Sequence, residues 1–196
     1  MATTLSRYLE TLAALTRTVA CSGADGTAVP TDEGFARAVE LLAGRTTAGR
    51  AVIWVGNGGS AAIASHISVD FFKAGARSLS FNDGPMLTCM GNDYGYDRVF
   101  SRPIEFCAAP GDVLIAISSS GRSANILNAV AAARDRGGAV LSLSGFEAAN
   151  PLRALGDWNF YVASDVYGFV ETVHAAICHA LYDAWAERVH GRPIPH

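Results

Sequence analysis

Apolar residues recur along the chain in two patterns, one with the spacing of a helix and one as short continuous runs. Residues 4–20 have helical spacing, and a stretch rich in Gly, Ala, Thr and Pro interrupts it at 23–31. A second helix is expected from Thr31, which can cap it. The later apolar runs, separated mainly by helical patterns, predict strands near residues 51–55, 78–81, 112–117, 139–143 and 158–162.

This alternation of strands and helices predicts an α/β fold. We expect a mostly parallel five-stranded sheet flanked by helices, with N-terminal helices that pack in an oligomer. Ligands of such sheets gather beyond the carboxyl ends of the strands. We divide the chain into an N-terminal helix with its connector, residues 1–30, and one α/β domain, residues 31–196.

Composition and charge narrow the class of protein. Half of the 196 residues are hydrophobic, 17% are charged and the net charge is −3, which suits one compact domain with a substantial core. Without a cluster of Lys or Arg, we expect no nucleic-acid partner. The sequence has no signal-like start and no apolar run of ~20 residues, so we predict a cytoplasmic protein with no membrane partner. The wide spacing of the four cysteines predicts reduced, mostly buried thiols.

Two strand-to-helix loops carry groups that can bind an anion. In Gly56-Asn57-Gly58-Gly59-Ser60, glycines admit a ligand and the N–H groups of the next helix attract a negative oxygen. A second loop holds Ser118, Ser119, Ser120 and Ser123. One or two serines could simply cap a helix, but four favour a phosphate with several acceptor oxygens. The loops lack P-loop and dinucleotide motifs, so we expect no nucleotide cofactor.

Titratable residues occur at helical spacing in two segments. His66 and Asp70 are four apart, so their side chains share a helix face and could bind one metal or orient each other. Glu171 and His179 are eight apart, about 12 Å along an ideal helix. One small site could use both only with long reach or by combining neighbouring subunits. His174 points elsewhere, which favours a role in packing or at an interface.

Together, in this order, these motifs resemble the sugar isomerase (SIS) domain family, and within it the phosphoheptose isomerases, from about residue 35 onward. The marks are the glycine loop, the serine loop at 118–125, the segment Gly91-Asn92-Asp93-Tyr94-Gly95, and a last helix with Glu171, His174 and His179. Phosphoheptose isomerases interconvert sedoheptulose 7-phosphate and D-glycero-D-manno-heptose 7-phosphate. The resemblance therefore implies an enzyme, an aldose-ketose isomerase.

The resemblance also implies roles for individual residues. Substrate would be bound by Asn57, Gly58, Gly59, Asn92 and Asp93, and its phosphate by Ser118, Ser119, Ser120 and Ser123. A zinc ion in each subunit would be held by His66, Asp70, Glu171 and His179. The family pattern further implies a homotetramer with active sites between subunits. Two positions depart from it, since Asp70 stands where Glu is typical and Glu171 where Gln is typical.

The chemistry of these residues agrees with such a reaction. Moving a carbonyl between C1 and C2 takes a base beside the carbonyl and a second group that moves a proton between the oxygens, through an enediol. Asp70 or Glu171 would be the base, and His179 the partner acid, with His66 as metal ligand or orienter. The alternative is a noncatalytic phosphosugar-binding protein, or a scaffold that associates with a replication initiator. The titratable groups favour catalysis, because a scaffold does not need them.

Overall fold

A computed structural model describes residues 4–191, so the last five residues of the predicted domain, 192–196, lie outside the described part. The strands are β1 (Ala20–Gly23), β2 (Ala28–Val29), β3 (Val52–Gly56), β4 (Ser78–Ser80), β5 (Val113–Ser118), β6 (Ala139–Ser144) and β7 (Trp158–Tyr161). The helices are α1 (Leu5–Arg17), α2 (Thr31–Thr47), α3 (Gly59–Lys73), α4 (Gly84–Tyr94), α5 (Ser101–Cys107), α6 (Ala124–Asp135) and α7 (Tyr167–His190). Two short 3-10 helices cover Tyr96–Arg98 and Pro151–Ala154.

The strands form one sheet in the order β2-β1-β7-β6-β5-β3-β4. All strands from β3 to β7 pair in parallel, whereas β1 pairs antiparallel with both β2 and β7. The prediction of a mostly parallel α/β sheet is confirmed, but the prediction of five strands is wrong because the sheet has seven. The missed strands lie in and just before the stretch rich in Gly, Ala, Thr and Pro that was interpreted as a connector.

The missed strands form a hairpin between the first two helices. Its turn is held by Asp25, whose Oδ1 accepts a hydrogen bond from the Thr27 N–H at 2.9 Å. The predicted cap at Thr31 is also wrong, since Pro30 precedes the helix and Thr31 is its first residue. The Thr31 hydroxyl instead donates to the Val19 carbonyl at 2.7 Å, which ties the two segments together.

Helices cover both faces of the sheet. One layer contains α2, α3 and α7, and the other contains α4, α5 and α6. The central strands β3, β5 and β6 are buried at every position, which explains their continuous apolar runs. Helices α3 and α7 pack against each other through Phe71, whose ring stacks on Trp185 with centroids 4.4 Å apart. The carboxyl ends of β3 and β5 therefore meet the start of α3, next to α7.

The helices and the cysteines bear on two predictions, the absence of a membrane partner and the burial of the thiols. Within residues 4–191, no helix is long and apolar enough to cross a membrane. The cytoplasmic location stays a prediction. The cysteines are free thiols, of which Cys21 and Cys178 are buried while Cys89 and Cys107 are exposed. The expectation of mostly buried thiols thus holds for only two of them, and burial raises the pKa of the Cys178 thiol to about 12.

Candidate active site

The glycine loop makes a tight connection between β3 and α3. Gly58 caps the helix with a φ of 54°, a left-handed conformation that favours glycine. A Cβ on Gly56 would lie 2.6 Å from the backbone carbon and oxygen of Ser60. The loop therefore needs glycine for both its turn and its close packing.

The serine loop connects β5 to α6, and its hydroxyls do not act as ordinary helix caps. Within the described chain, the Ser123 side chain makes no capping hydrogen bond although Ser123 is the N-cap residue. Ser118 Oγ accepts from the Gly121 N–H at 3.2 Å and donates to Ser123 Oγ at 3.4 Å. The buried Ser119 Oγ has no partner among residues 4–191. The hydroxyl hydrogens of Ser119, Ser120 and Ser123, by the contacts within residues 4–191, remain available to a ligand.

A small polar pocket of about 100 Å³ lies between the two loops and the start of α7. Its walls are Asn57, Ser60, Ile117, Ser118, Ser119, Ser120, Ser123, Tyr167 and Glu171. Because the pocket is small and lined mainly by hydroxyl and amide groups, it suits a phosphate group rather than a whole sugar phosphate. The predicted phosphate residues thus come together in one cavity.

Hydrogen bonds between side chains join the glycine loop to the serine loop beside this pocket. Asn57 and Asn125 exchange amide hydrogen bonds, with Asn57 Nδ2 donating at 2.9 Å and Asn125 Nδ2 donating at 2.8 Å. The Tyr96 hydroxyl donates to Asn57 Oδ1 at 3.1 Å. Sequence reasoning assigned no role to Asn125 or to the pocket residue Tyr167, and for Tyr96 it left a sugar contact and a shaping role equally open. Asn125 ends the serine loop and Tyr96 directly follows the Gly91–Gly95 motif, so their neighbourhood in the sequence was the available signal.

A second cluster contains His66, Asp70 and His179. One ligand atom from each residue lies within 4.8 Å of the others. His66 Nε2 is 3.8 Å from Asp70 Oδ2, and the rings of His66 and His179 have centroids 5.3 Å apart. The His66 side chain is 63% exposed, whereas that of Asp70 is 9% exposed. Two imidazoles and one carboxylate are donors that zinc accepts, so these residues fit a divalent metal.

Glu171 occupies a different place from the other predicted metal ligands. Its carboxylate lies against Gly59, where a Cβ would come within 2.3 Å of Oε2, and it also lines the serine pocket. Among the residues that the structure describes, the His66–Asp70–His179 cluster does not include it. Glu171 therefore puts a carboxylate in the pocket that is predicted to hold the phosphate.

Asn92 and Asp93 lie apart from the pocket. Both are exposed on α4, and Asn92 Nδ2 donates to Asp93 Oδ1 at 2.9 Å. The pocket walls, as far as residues 4–191 define them, include neither side chain. The structure of a single chain thus does not bring these two predicted sugar-binding residues to the serine loop.

His174 is buried completely, on α7 between Glu171 and His179. Its Nε2 donates to the Ser144 carbonyl at 3.1 Å, which anchors α7 to the end of β6. Burial lowers the pKa of His174 to about 4, so the ring is neutral at pH 7. The expected packing role within the chain agrees with this position.

Known proteins resemble this chain in sequence and in fold. Residues 27–145 match the family model for the SIS domain, so the chain belongs to the SIS domain family. Within that family it belongs to the phosphoheptose isomerases. A phosphoheptose isomerase of Solidesulfovibrio magneticus is 38% identical over 74% of this chain and 73% of its own length. One from a Bradyrhizobium species is 43% identical over 68% of this chain and 70% of its own.

A solved structure gives the same result. The phosphoheptose isomerase of Neisseria gonorrhoeae superimposes with a TM-score of 0.82 and 28% identity, covering 92% of this chain and 96% of its own. The prediction of an isomerase rather than a noncatalytic relative is therefore confirmed. The roles of individual residues stay predictions.

Proposed function

We propose that the enzyme interconverts sedoheptulose 7-phosphate and D-glycero-D-manno-heptose 7-phosphate through an enediol. The observation that carries this proposal is the distance along α3 between the serine pocket and the His66–Asp70–His179 cluster. Ser60 lines the serine pocket and His66 lies six residues later, about 9 Å along the helix. An open-chain seven-carbon sugar with its phosphate in the serine pocket has about the length needed to bring C1 and C2 to His66, Asp70 and His179.

In this arrangement Asp70 is our first choice for the base. It belongs to the cluster near the reacting carbons, whereas the Glu171 carboxylate lies beside the serine pocket at the other end. Asp70 would take the proton from one carbon and return it to the other, and His179 would move a proton between O1 and O2. Glu171 is the alternative base, if substrate binding brings it toward C2.

The donor set of the cluster supports zinc, held by His66, Asp70 and His179. Bound zinc would polarise the sugar carbonyl as a Lewis acid. Glu171, eight residues before His179, could be a fourth ligand only with long reach or from a second subunit. The phosphate would accept hydrogen bonds from the serine hydroxyls, with Asn57, Gly58 and Gly59 along the sugar. Asn92 and Asp93 would reach the sugar from a second subunit.

Exposed apolar surface supports a homotetramer with active sites at subunit interfaces. Among its described residues α1 buries none, and it leaves Leu5 and Leu9 exposed at 74% and 51%. On α3, Val69 and Phe72 are exposed beside the proposed metal ligands His66 and Asp70. Exposed apolar groups next to a site are typical of an interface, so the neighbouring subunit would complete the site near Asp70.

The test is turnover of sedoheptulose 7-phosphate by metal-replete enzyme, followed by NMR of the aldose. We expect Asp70→Asn and His179→Ala to lose about 100-fold to 10,000-fold in kcat, the usual contribution of general acid-base groups. Asp135→Asn, an exposed acid at the far end of α6, is the matched control. No turnover by the wild type would reject the proposed reaction. Full activity of Asp70→Asn with loss in Glu171→Gln would move the base to Glu171.

A further inference from the structure

Three hydrogen bonds connect the Asn57 side chain in the glycine loop to Asn125 and Tyr96. Asn57 Oδ1 accepts from both Asn125 Nδ2 and the Tyr96 hydroxyl, at 2.8 and 3.1 Å. A carbonyl oxygen has two lone pairs, so this oxygen is fully used. Asn57 Nδ2 donates one hydrogen to Asn125 Oδ1, at 2.9 Å, and its second hydrogen has no acceptor among residues 4–191. Because Asn57 lines the serine pocket, that second N–H is a donor available to a ligand.

The partners of Asn57 are themselves held in place. Asn125 is 3% exposed and sits in the first turn of α6. Tyr96 starts a 3-10 helix, and the next residue, Asp97, accepts a hydrogen bond through its carbonyl from Asn128 Nδ2 at 2.8 Å. Both contacts to Asn57 thus come from segments anchored on α6, the helix that follows the serine loop. The network fixes the glycine loop relative to the serine loop.

We propose that Asn125 and Tyr96 are positioning residues that aim the free N–H of Asn57 at an oxygen of the bound sugar phosphate. Two donors on Oδ1 hold the amide with its oxygen turned to the protein and its nitrogen toward the pocket. Without them the amide rotates and can present its oxygen, which repels an anionic or carbonyl oxygen of the ligand. This inference rests on the proposed function for the identity of the ligand.

The test is a double-mutant cycle between Tyr96→Phe and Asn57→Ala. Binding of sedoheptulose 7-phosphate is measured by calorimetry on all four proteins, with kcat and KM beside it. Tyr96→Phe removes only the hydroxyl, and we expect about 3- to 10-fold weaker binding, the usual effect of one hydrogen bond. KM should rise by a similar factor, with kcat nearly unchanged. In the Asn57→Ala background the same substitution should have no further effect, because the amide that Tyr96 orients is gone.

Several outcomes would overturn the proposal. Equal losses from Tyr96→Phe in both backgrounds would mean that the hydroxyl contacts the ligand itself, and no loss in either would mean that it orients nothing. Tyr94→Phe, an exposed tyrosine at the end of α4, should bind like the wild type. Thermal unfolding of each variant shows whether a loss reflects the fold. Asn125→Ala, if folded, should weaken binding about 10-fold or more, since it removes two hydrogen bonds from the Asn57 amide and leaves the one from the Tyr96 hydroxyl.

Failure of the proposed function gives a different result. A wild type that binds the sugar phosphate without isomerising it would reject the reaction, while the binding cycle would still test the positioning role. A wild type that does not bind the sugar phosphate would reject both the proposed substrate and the proposed contact between the Asn57 N–H and that ligand.

Discussion

The phosphate end and the reaction end of the candidate site are built in different ways. The phosphate end consists of two strand-to-helix turns with small neutral side chains, and Glu171 is the charged group in its lining as described. The reaction end consists of long titratable side chains from α3 and α7, with His66 largely exposed and Asp70 largely buried. The first end is set mainly by the backbone, and the second depends on how two helices pack.

That packing is governed by aromatic residues below the reaction end. Phe71, next to Asp70, stacks on Trp185 at 4.4 Å and lies 5.5 Å from the ring of Tyr182. These contacts fix the register of α3 against α7 and so bring His66 to His179. A ligand at the phosphate end meets groups that are already in place, whereas a metal at the reaction end depends on side chains that can still adjust.

The largest expected effect separates the two ends through metal binding. His66→Ala removes one of three clustered donors. We expect zinc affinity to fall by about 100-fold or more, a larger loss than is usual when a residue that only orients a ligand is removed. Binding of inorganic phosphate to the metal-free proteins should stay the same. Zinc is measured by competition with a chromophoric chelator. His190→Ala, at the far end of α7, is the control and should keep its zinc affinity. Unchanged zinc binding in His66→Ala would contradict the assigned site.

A smaller effect is expected in the pH dependence of stability, through the buried His174, which anchors α7 to β6 between Glu171 and His179. Burial lowers the pKa of His174 to about 4, so the unfolded chain, with a pKa near 6.5, binds more protons between these values. Stability is therefore full above pH 6.5 and falls as the pH drops toward 4. Between pH 7.5 and 5 this residue should cost about 2 kcal/mol of unfolding free energy.

Urea unfolding at both pH values, on the wild type and on His174→Gln, measures this contribution. Gln keeps a donor for the Ser144 carbonyl but does not titrate. The variant should lose about 2 kcal/mol less than the wild type between pH 7.5 and 5. Equal pH dependence in the two proteins would show that His174 is not held neutral in the fold.

The difference between the two ends also explains what the sequence could predict. The serine and glycine loops follow buried strands, so local pattern and turn chemistry were enough to find them. The proximity of His66 and His179 depends on contacts between residues more than a hundred positions apart, and without the family resemblance no local pattern indicates it. The β1–β2 hairpin was missed for the same reason, since β1 gains its place only by pairing with β7.

The smallest expected effect links the two ends through Glu171. Its carboxylate lies in the pocket proposed for a phosphate, and no hydrogen bond or ion pair with another residue of the described range 4–191 offsets its charge. Glu171→Gln should therefore tighten binding of inorganic phosphate to metal-free protein by about fivefold, as expected for about 1 kcal/mol between unit charges at 4 Å in water. Glu33→Gln, an exposed acid on α2, should change nothing. If zinc draws the Glu171 carboxylate away from Gly59, adding zinc to the wild type should produce the same gain, and the variant should show none. Weaker phosphate binding in Glu171→Gln would mean instead that the carboxylate helps to build the phosphate end.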